Sequence, residues 1–259
     1  MGIKRSTLYY KPKKNINKQQ KDIRIRKKIE DISREHPYYG YRRITASLRR
    51  DKLVVLGIQG RIKRKYVTTT NSKHHNKIYS NLIKDKELTG INQVWCADIT
   101  YIRILNGFVY LAAILDIYSR KIVGYAIGKT LSPELTIAAL NMAIATRNTD
   151  NLIHHSDRGI QYTCKEYIKI LKDNGIRISM SGKGNPYDNA FAESLFKTIK
   201  QEEVYLWQYE TFFDVIERIP YFIEDVYNKK RLHSSLGYRP PEEYERLLAK
   251  KSSRECMVC

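Results

Sequence analysis

Cysteine is scarce in this chain, with four in 259 residues and none before Cys96. That excludes a disulfide scaffold and a cysteine-built zinc module in the first third of the chain. Cys256-x-x-Cys259 stands alone near the C-terminus with no matching pair, and His74-His75 is an unpaired doublet, so neither makes a zinc site. Few cysteines and no secretory signal fit a reducing cytoplasm. No run of eighteen residues is apolar and free of charge, which excludes a membrane-spanning helix. Gly182 and Gly184 lack the spacing of a nucleotide P-loop, which argues against ATP use. With 42% hydrophobic and 11% aromatic residues, wholesale disorder is excluded as well.

Negative charge is the other shortage, and it is confined to one part. Residues 1–95 hold 25 Lys/Arg against 7 Asp/Glu, a net of +18, whereas residues 96–259 hold 22 against 20, a net of +2. The whole chain carries +20. So strong and so localised an excess points to a polyanion, with nucleic acid the foremost candidate. The division predicts a basic arm over 1–66, a linker over 67–93, a core over 94–250 and a tail over 251–259.

In the arm, Ile25, Ile29 and Ile32 recur at helical spacing before Pro37. Tyr41, Ile44 and Leu48 predict a second helix, with Arg42 and Arg43 around it and Arg61 and Arg64 further on. Tyr38, Tyr39 and Tyr41 interleave with these cations. Phosphate contacts from such an arm confer affinity without sequence reading, and make it steeply salt-dependent. A solvated basic face with no partner is the competing reading.

The core pattern predicts an α/β fold with a mixed sheet. Val94–Ile104 reads as a strand ending at the Asn106-Gly107 turn, followed by strands at 108–118 and 121–129. Ser132-Pro133-Glu134 opens a helix. Strands at 152–156 and 176–180 flank a helix at 165–174 closed by Gly175. A glycine-rich loop over 181–189 leads into a helix from Ala190.

Three acids occupy three of these elements: Asp98 within the first strand, Asp157 just past the fourth, and Glu193 in the helix after the glycine-rich loop. Three carboxylates converge only if a cation neutralises them, and an all-oxygen set favours Mg²⁺, with Mn²⁺ as a substitute, over zinc. Such a site suits in-line displacement at a phosphodiester. The structural alternatives are that Asp157 caps a turn, Glu193 pairs with Lys197, and Asp98 meets a buried arginine. Asp116 reads as turn-stabilising or arginine-pairing, and His155 as either a substrate contact or a structural hydrogen-bonder.

From Trp95 to about Leu247 the chain resembles the integrase core of DDE transposases, and more closely the second-frame protein (OrfB) of the insertion sequence 3 family within the retroviral-integrase superfamily. The residues that carry the resemblance are Trp95-Cys96-Ala97-Asp98-Ile99-Thr100-Tyr101, Asp116-Ile117-Tyr118-Ser119-Arg120 and His155-Ser156-Asp157-Arg158-Gly159-Ile160-Gln161-Tyr162. They continue through Ser181-Gly182-Lys183-Gly184-Asn185-Pro186-Tyr187-Asp188-Asn189-Ala190, Glu193-Ser194-Leu195-Phe196-Lys197, and Arg231-Leu232-His233-Ser234-Ser235-Leu236-Gly237-Tyr238. Between Asp157 and Glu193 lie 35 residues, the spacing characteristic of that group.

The resemblance implies a ribonuclease-H-like fold with a five-stranded sheet, Asp98, Asp157 and Glu193 as a metal-holding catalytic triad, and Lys200 as a DNA-contacting base seven positions after the glutamate. Lys197, between them, is a further DNA-binding candidate. It also implies DNA cleavage and strand transfer at element ends, homo-multimers and a first-frame (OrfA) partner or fusion, in a bacterial, nucleoid-associated setting. His36-Pro37-Tyr38-Tyr39-Gly40-Tyr41-Arg42-Arg43-Ile44 resembles the family's helix-turn-helix region, but the basic helix expected after Leu53-Val54-Val55 is missing. Two other readings remain: a non-catalytic DNA-binding inhibitor from a defective copy, and a ribonuclease-H-like nuclease.

Overall fold

The computed structural model describes residues 16–51, 76–182 and 189–256. It divides into two compact units at Lys63 and Arg64. In the first unit, helix α1 (Ile16–Glu35) stops before Pro37, and α2 (Tyr41–Arg50) follows. Ile32, Ile44 and Leu48 are buried, as the helical spacing requires. Lys28 pairs with Asp51 at 3.0 Å. Arg61, Arg64 and the segment after Val55 lie outside the described residues.

The second unit is built on a five-stranded sheet in the order β3-β2-β1-β4-β5. Strands β1 (Val94–Ile104), β2 (Gly107–Asp116) and β3 (Ile122–Gly128) form an antiparallel meander. Strands β4 (Ile153–Ser156) and β5 (Arg177–Met180) add in parallel on the other side of β1. β2 ends two residues earlier than the pattern suggests. Asp116 Oδ1 accepts from the amides of Tyr118 and Ser119 and turns the chain there.

Alternation on β1 and β2 splits the core in two. Trp95, Ala97, Ala112 and Ile114 face α3 (Pro133–Thr146) and α5 (Lys165–Asp173) through Leu135, Ala139, Leu140, Tyr167 and Leu171. Ile102, Leu111, Ala113 and Leu115 face α6 (Ala190–Ile199) and α7 (Phe212–Tyr221) through Leu195, Ile199, Val215 and Ile219. A side chain on Gly124 of β3 would collide with the Ala139 carbonyl, so glycine sets how closely α3 lies on the sheet.

Three further elements have no clear sequence signal. A one-turn helix, α4 (Ile160–Thr163), follows β4, and π-helical segments span Lys200–Val204 and Phe222–Asn228. From the second of these, Asn228 bonds both the amide and the carbonyl of Ile122 at 3.0 Å, covering part of the β3 edge. The chain ends in α8 (Pro241–Cys256). Among the described residues, no helix is long and apolar enough to cross a membrane.

Candidate active site

The sheet register brings two of the three acids together. β1 and β4 run parallel with Ala97 opposite Ser156, so Asp98 on β1 and Asp157, one residue past the end of β4, come next side by side. Parallel neighbours lie roughly 4.8 Å apart. Asp157 leaves the strand at its carboxyl end, and its Oδ1 accepts from the Gly159 amide at 2.8 Å. It therefore does form a turn, as the structural alternative anticipates, and that turn fixes the carboxylate beside Asp98.

Helix α6 supplies the third acid. Ala192, Leu195, Phe196 and Ile199 are buried, leaving Glu193 exposed on the opposite face. Asn189 occupies the N-cap position, but its Oδ1 makes no cap bond. It accepts from the buried Cys96 thiol on β1 at 2.7 Å. Burial pushes the Cys96 thiol well up, so it stays a protonated donor and ties the start of the Glu193 helix to the strand bearing Asp98.

Electrostatics record this convergence. The Asp98 carboxyl is pushed up to about 7, first by burial, then by the charge of Asp157, with Glu193 adding to it. The Ile99 amide, donating to Oδ1 at 2.8 Å, and Lys200 act in the opposite direction. Among the described residues, no arginine pairs with Asp98. Among the described residues, no ion pair joins Glu193 to Lys197. Nor do three Asp, Glu, His or Cys side chains gather closely enough to hold a metal ion as they stand. The donor set, three carboxylates with like-charge repulsion at Asp98, nonetheless has the chemistry a hard divalent cation requires.

Lys200, where α6 passes into the π-helical segment, places its ammonium 4.4 Å from the Tyr101 ring centroid. Its pKa is lowered by burial and supported by Asp98. Lys197 is exposed in the last turn of α6. Arg42 and Arg43 belong to the first unit, where their guanidinium groups lie 5.8 Å from the Tyr41 ring and 5.5 Å from the Tyr39 ring.

Two weaker candidates turn out to be structural. Asp116 is buried, accepts from the Asn92 amide at 2.6 Å and lies 3.8 Å from Arg147. His155 is buried between the hydroxyls of Ser179 and Ser181, at 2.9 and 3.2 Å. Sequence reasoning missed Tyr101 as the ring under Lys200, and Arg231, which grips Glu202 through two 2.8 Å bonds. Position within the Asp98 strand was an available signal for Tyr101, whereas Arg231, though it opens the last of the matching motifs, carried no sign of its pairing with Glu202.

Comparison with known proteins places the chain in a family. Two family models described as integrase core domain match residues 89–186 and 174–241. The "Insertion element IS600 uncharacterized 31 kDa protein" of Shigella sonnei is 37% identical over 267 residues, covering 96% of this chain and 98% of that protein. That aligned length exceeds the 259 residues here, so the relative carries residues without a counterpart in this chain. "Transposase InsF for insertion sequence IS3A" of Escherichia coli K12 is 34% identical over 221 residues, covering 84% of this chain and 75% of that one. The simian T-cell lymphotropic virus intasome, solved with the PP2A regulatory subunit B56 gamma, contains a chain of similar fold. It matches with a TM-score of 0.50 and 17% identity over 68% of this chain and 60% of its own.

Proposed function

Because the chain belongs to the insertion sequence 3 family of DDE transposases, as its second-frame protein with a ribonuclease-H-like integrase core, we propose that Asp98, Asp157 and Glu193 are its catalytic triad. The protein is a polynucleotidyl transferase acting on DNA. The observation that carries the assignment of the triad is the β1–β4 register, which sets Asp98 beside Asp157, with the Glu193 helix tied to the Asp98 strand through Asn189 and Cys96.

The three carboxylates would hold Mg²⁺, or Mn²⁺ in its place. The bound metal would supply charge stabilisation at the phosphoryl group and make the attacking oxygen a better nucleophile. Asp98 and Asp157 would hold that cation toward the scissile phosphate from the sheet, and Glu193 from α6. Lys200 and Lys197 hold the phosphate backbone leading in. Water first cleaves a phosphodiester and leaves a 3′-hydroxyl. That hydroxyl then attacks a target phosphodiester, one P–O bond forming as another breaks, so joining needs no nucleotide cofactor and no covalent protein intermediate.

Residues 1–66 act as a basic DNA-binding arm through Arg42, Arg43, Arg61 and Arg64, joined by 67–93 to the catalytic core at 94–250. The arm grips phosphate more than it reads bases, since the sequence after Val55 is too short for the basic helix that the resemblance calls for. The working form is a cytoplasmic, nucleoid-associated multimer on element ends and target DNA, with a first-frame partner that reads the terminal repeats. The test is cleavage and strand transfer on element-end DNA with Mg²⁺. Asp157→Asn is expected to abolish both and leave DNA retention nearly intact. An active Asp157→Asn chain overturns the triad.

A further inference from the structure

A groove of about 450 Å³ opens beside Lys200, lined among others by Tyr101, Arg103, Tyr205 and Trp207. It follows the part of β1 beyond Ala97, where β4 no longer pairs with it. Its wall is unusually aromatic for a surface. Tyr205 is 64% exposed and Trp207 48% exposed, with a cation at each end of the Tyr101 side: Lys200 over the ring and Arg103 exposed two residues along.

The Trp207 ring is held in advance. The Arg218 guanidinium lies 3.6 Å from its centroid, and Glu203 fixes that guanidinium at 2.9 Å. Glu203 is itself buried and also accepts from the Tyr209 hydroxyl at 2.8 Å. Tyr101 is braced by the edge of Phe108, 5.3 Å between centroids. Nothing in the phosphodiester chemistry described above uses these rings.

We propose that this groove seats an unpaired DNA strand where it leaves the carboxylates, with bases stacked on Trp207 and Tyr205 and phosphates against Lys200 and Arg103. Bases inside a duplex stack on one another and have no free face for an aromatic side chain, whereas unpaired bases do. A volume of about 450 Å³ falls within the range that encloses nucleotide-sized ligands, roughly 300–1,000 Å³, and is too small for a double helix. Cations interleaved with aromatics on one wall are the usual composition of a single-strand groove. Lys200 belongs both to this wall and to the surroundings of Asp98, so the groove begins beside the carboxylates. The proposal rests on the transposase reading of those carboxylates.

The chain contains only two tryptophans, and Trp95 is fully buried in the core. In a Trp95→Phe chain, Trp207 is therefore the sole indole reporter. Titration with an oligothymidylate of about 12 nucleotides is expected to quench its fluorescence saturably, and a blunt duplex of that length to leave it nearly unchanged. Tyr205→Ala should weaken the quench-monitored affinity on the order of tenfold, and Arg103→Ala should lower the salt slope by about one. Should Trp95→Phe fold poorly, photocrosslinking of 5-iododeoxyuridine oligonucleotides to the unsubstituted chain, mapped by mass spectrometry, reports the same contact.

An oligonucleotide that binds by anisotropy without quenching Trp207, or without crosslinking to it, overturns the proposal, as does equal quenching by duplex. Quenching by a chain that cannot cleave DNA with Mg²⁺ sinks the catalytic reading and leaves the groove standing. Cleavage and joining without quenching does the reverse.

Discussion

Gly159→Ala isolates the placement of Asp157 from the presence of its charge. A Cβ at Gly159 would lie 2.9 Å from Asp157 Oδ1 and 3.2 Å from Gln161 Oε1, where ordinary contact starts at 3.4 Å. The carboxylate must therefore withdraw by about half an ångström. The backbone does not resist the change, because φ −62° and ψ 148° are open to any residue. What weakens is the 2.8 Å bond from the Gly159 amide to Oδ1, a loss of about 1 kcal/mol and so roughly 2–4 °C in Tm. Chemistry should suffer more, since a misplacement of about 1 Å at a reacting group costs on the order of 100-fold. Half that displacement leads us to expect roughly a tenfold slower single-turnover cleavage with Mg²⁺, with filter-bound DNA retention unchanged. Cleavage within about twofold of the unsubstituted chain would show that Asp157 need not sit where this turn holds it. A Tm loss above about 10 °C would show that the glycine serves folding rather than position.

Without a cation, the folded chain keeps the Asp98 proton to about pH 7, whereas the unfolded chain releases it near 3.8. Stability therefore falls as pH rises through that window, and the Tm gain from Mg²⁺ or Mn²⁺ should be larger at pH 8 than at pH 5 in a thermal scan. Equal gains at the two pH values would exclude Asp98 from the metal site. Arg231, 5% exposed and bidentate on Glu202, should cost about 3–5 kcal/mol when replaced by alanine, measured by urea unfolding. Arg231→Lys should recover only part of that, because one ammonium cannot reproduce the two-pronged contact. Removing residues 1–66 should flatten the salt dependence of DNA binding, and an unchanged slope would locate the phosphate contacts elsewhere.

Local chemistry made much of this fold readable in advance. Val94–Ile104 is a strand because β-branched and aromatic residues predominate in it ahead of Asn106-Gly107, and Gly107 adopts φ 123° at that turn. Gly175, at φ 67°, ends α5 as expected of a residue without a Cβ. The π-helical segment at Lys200–Val204 was not readable, because its cause is tertiary. It turns the consecutive Glu202 and Glu203 to separate arginines, Arg231 and Arg218, 29 and 15 residues away. The groove at Trp207 was hidden for the same reason, since Tyr101 and Trp207 share a wall only after α6 has docked on the sheet.

The near-neutrality of the core also takes on a different meaning. Its 20 acids are not interchangeable. Burial works against Glu245, yet Arg147 bonds both its oxygens at 2.7 and 2.8 Å and holds its carboxyl low. Burial raises Asp116, but amides and Arg147 occupy both of its oxygens. Asp98 differs from both. One oxygen takes the Ile99 amide, the second accepts no hydrogen bond among the described residues, and its neighbours add negative charge. Lys200, the cation that reaches it, is also engaged with the Tyr101 ring. A core that supplies arginines to its structural acids and withholds one here keeps a place for positive charge from outside the chain, so Asp98→Asn should abolish the pH-dependent part of the Mg²⁺-induced Tm gain.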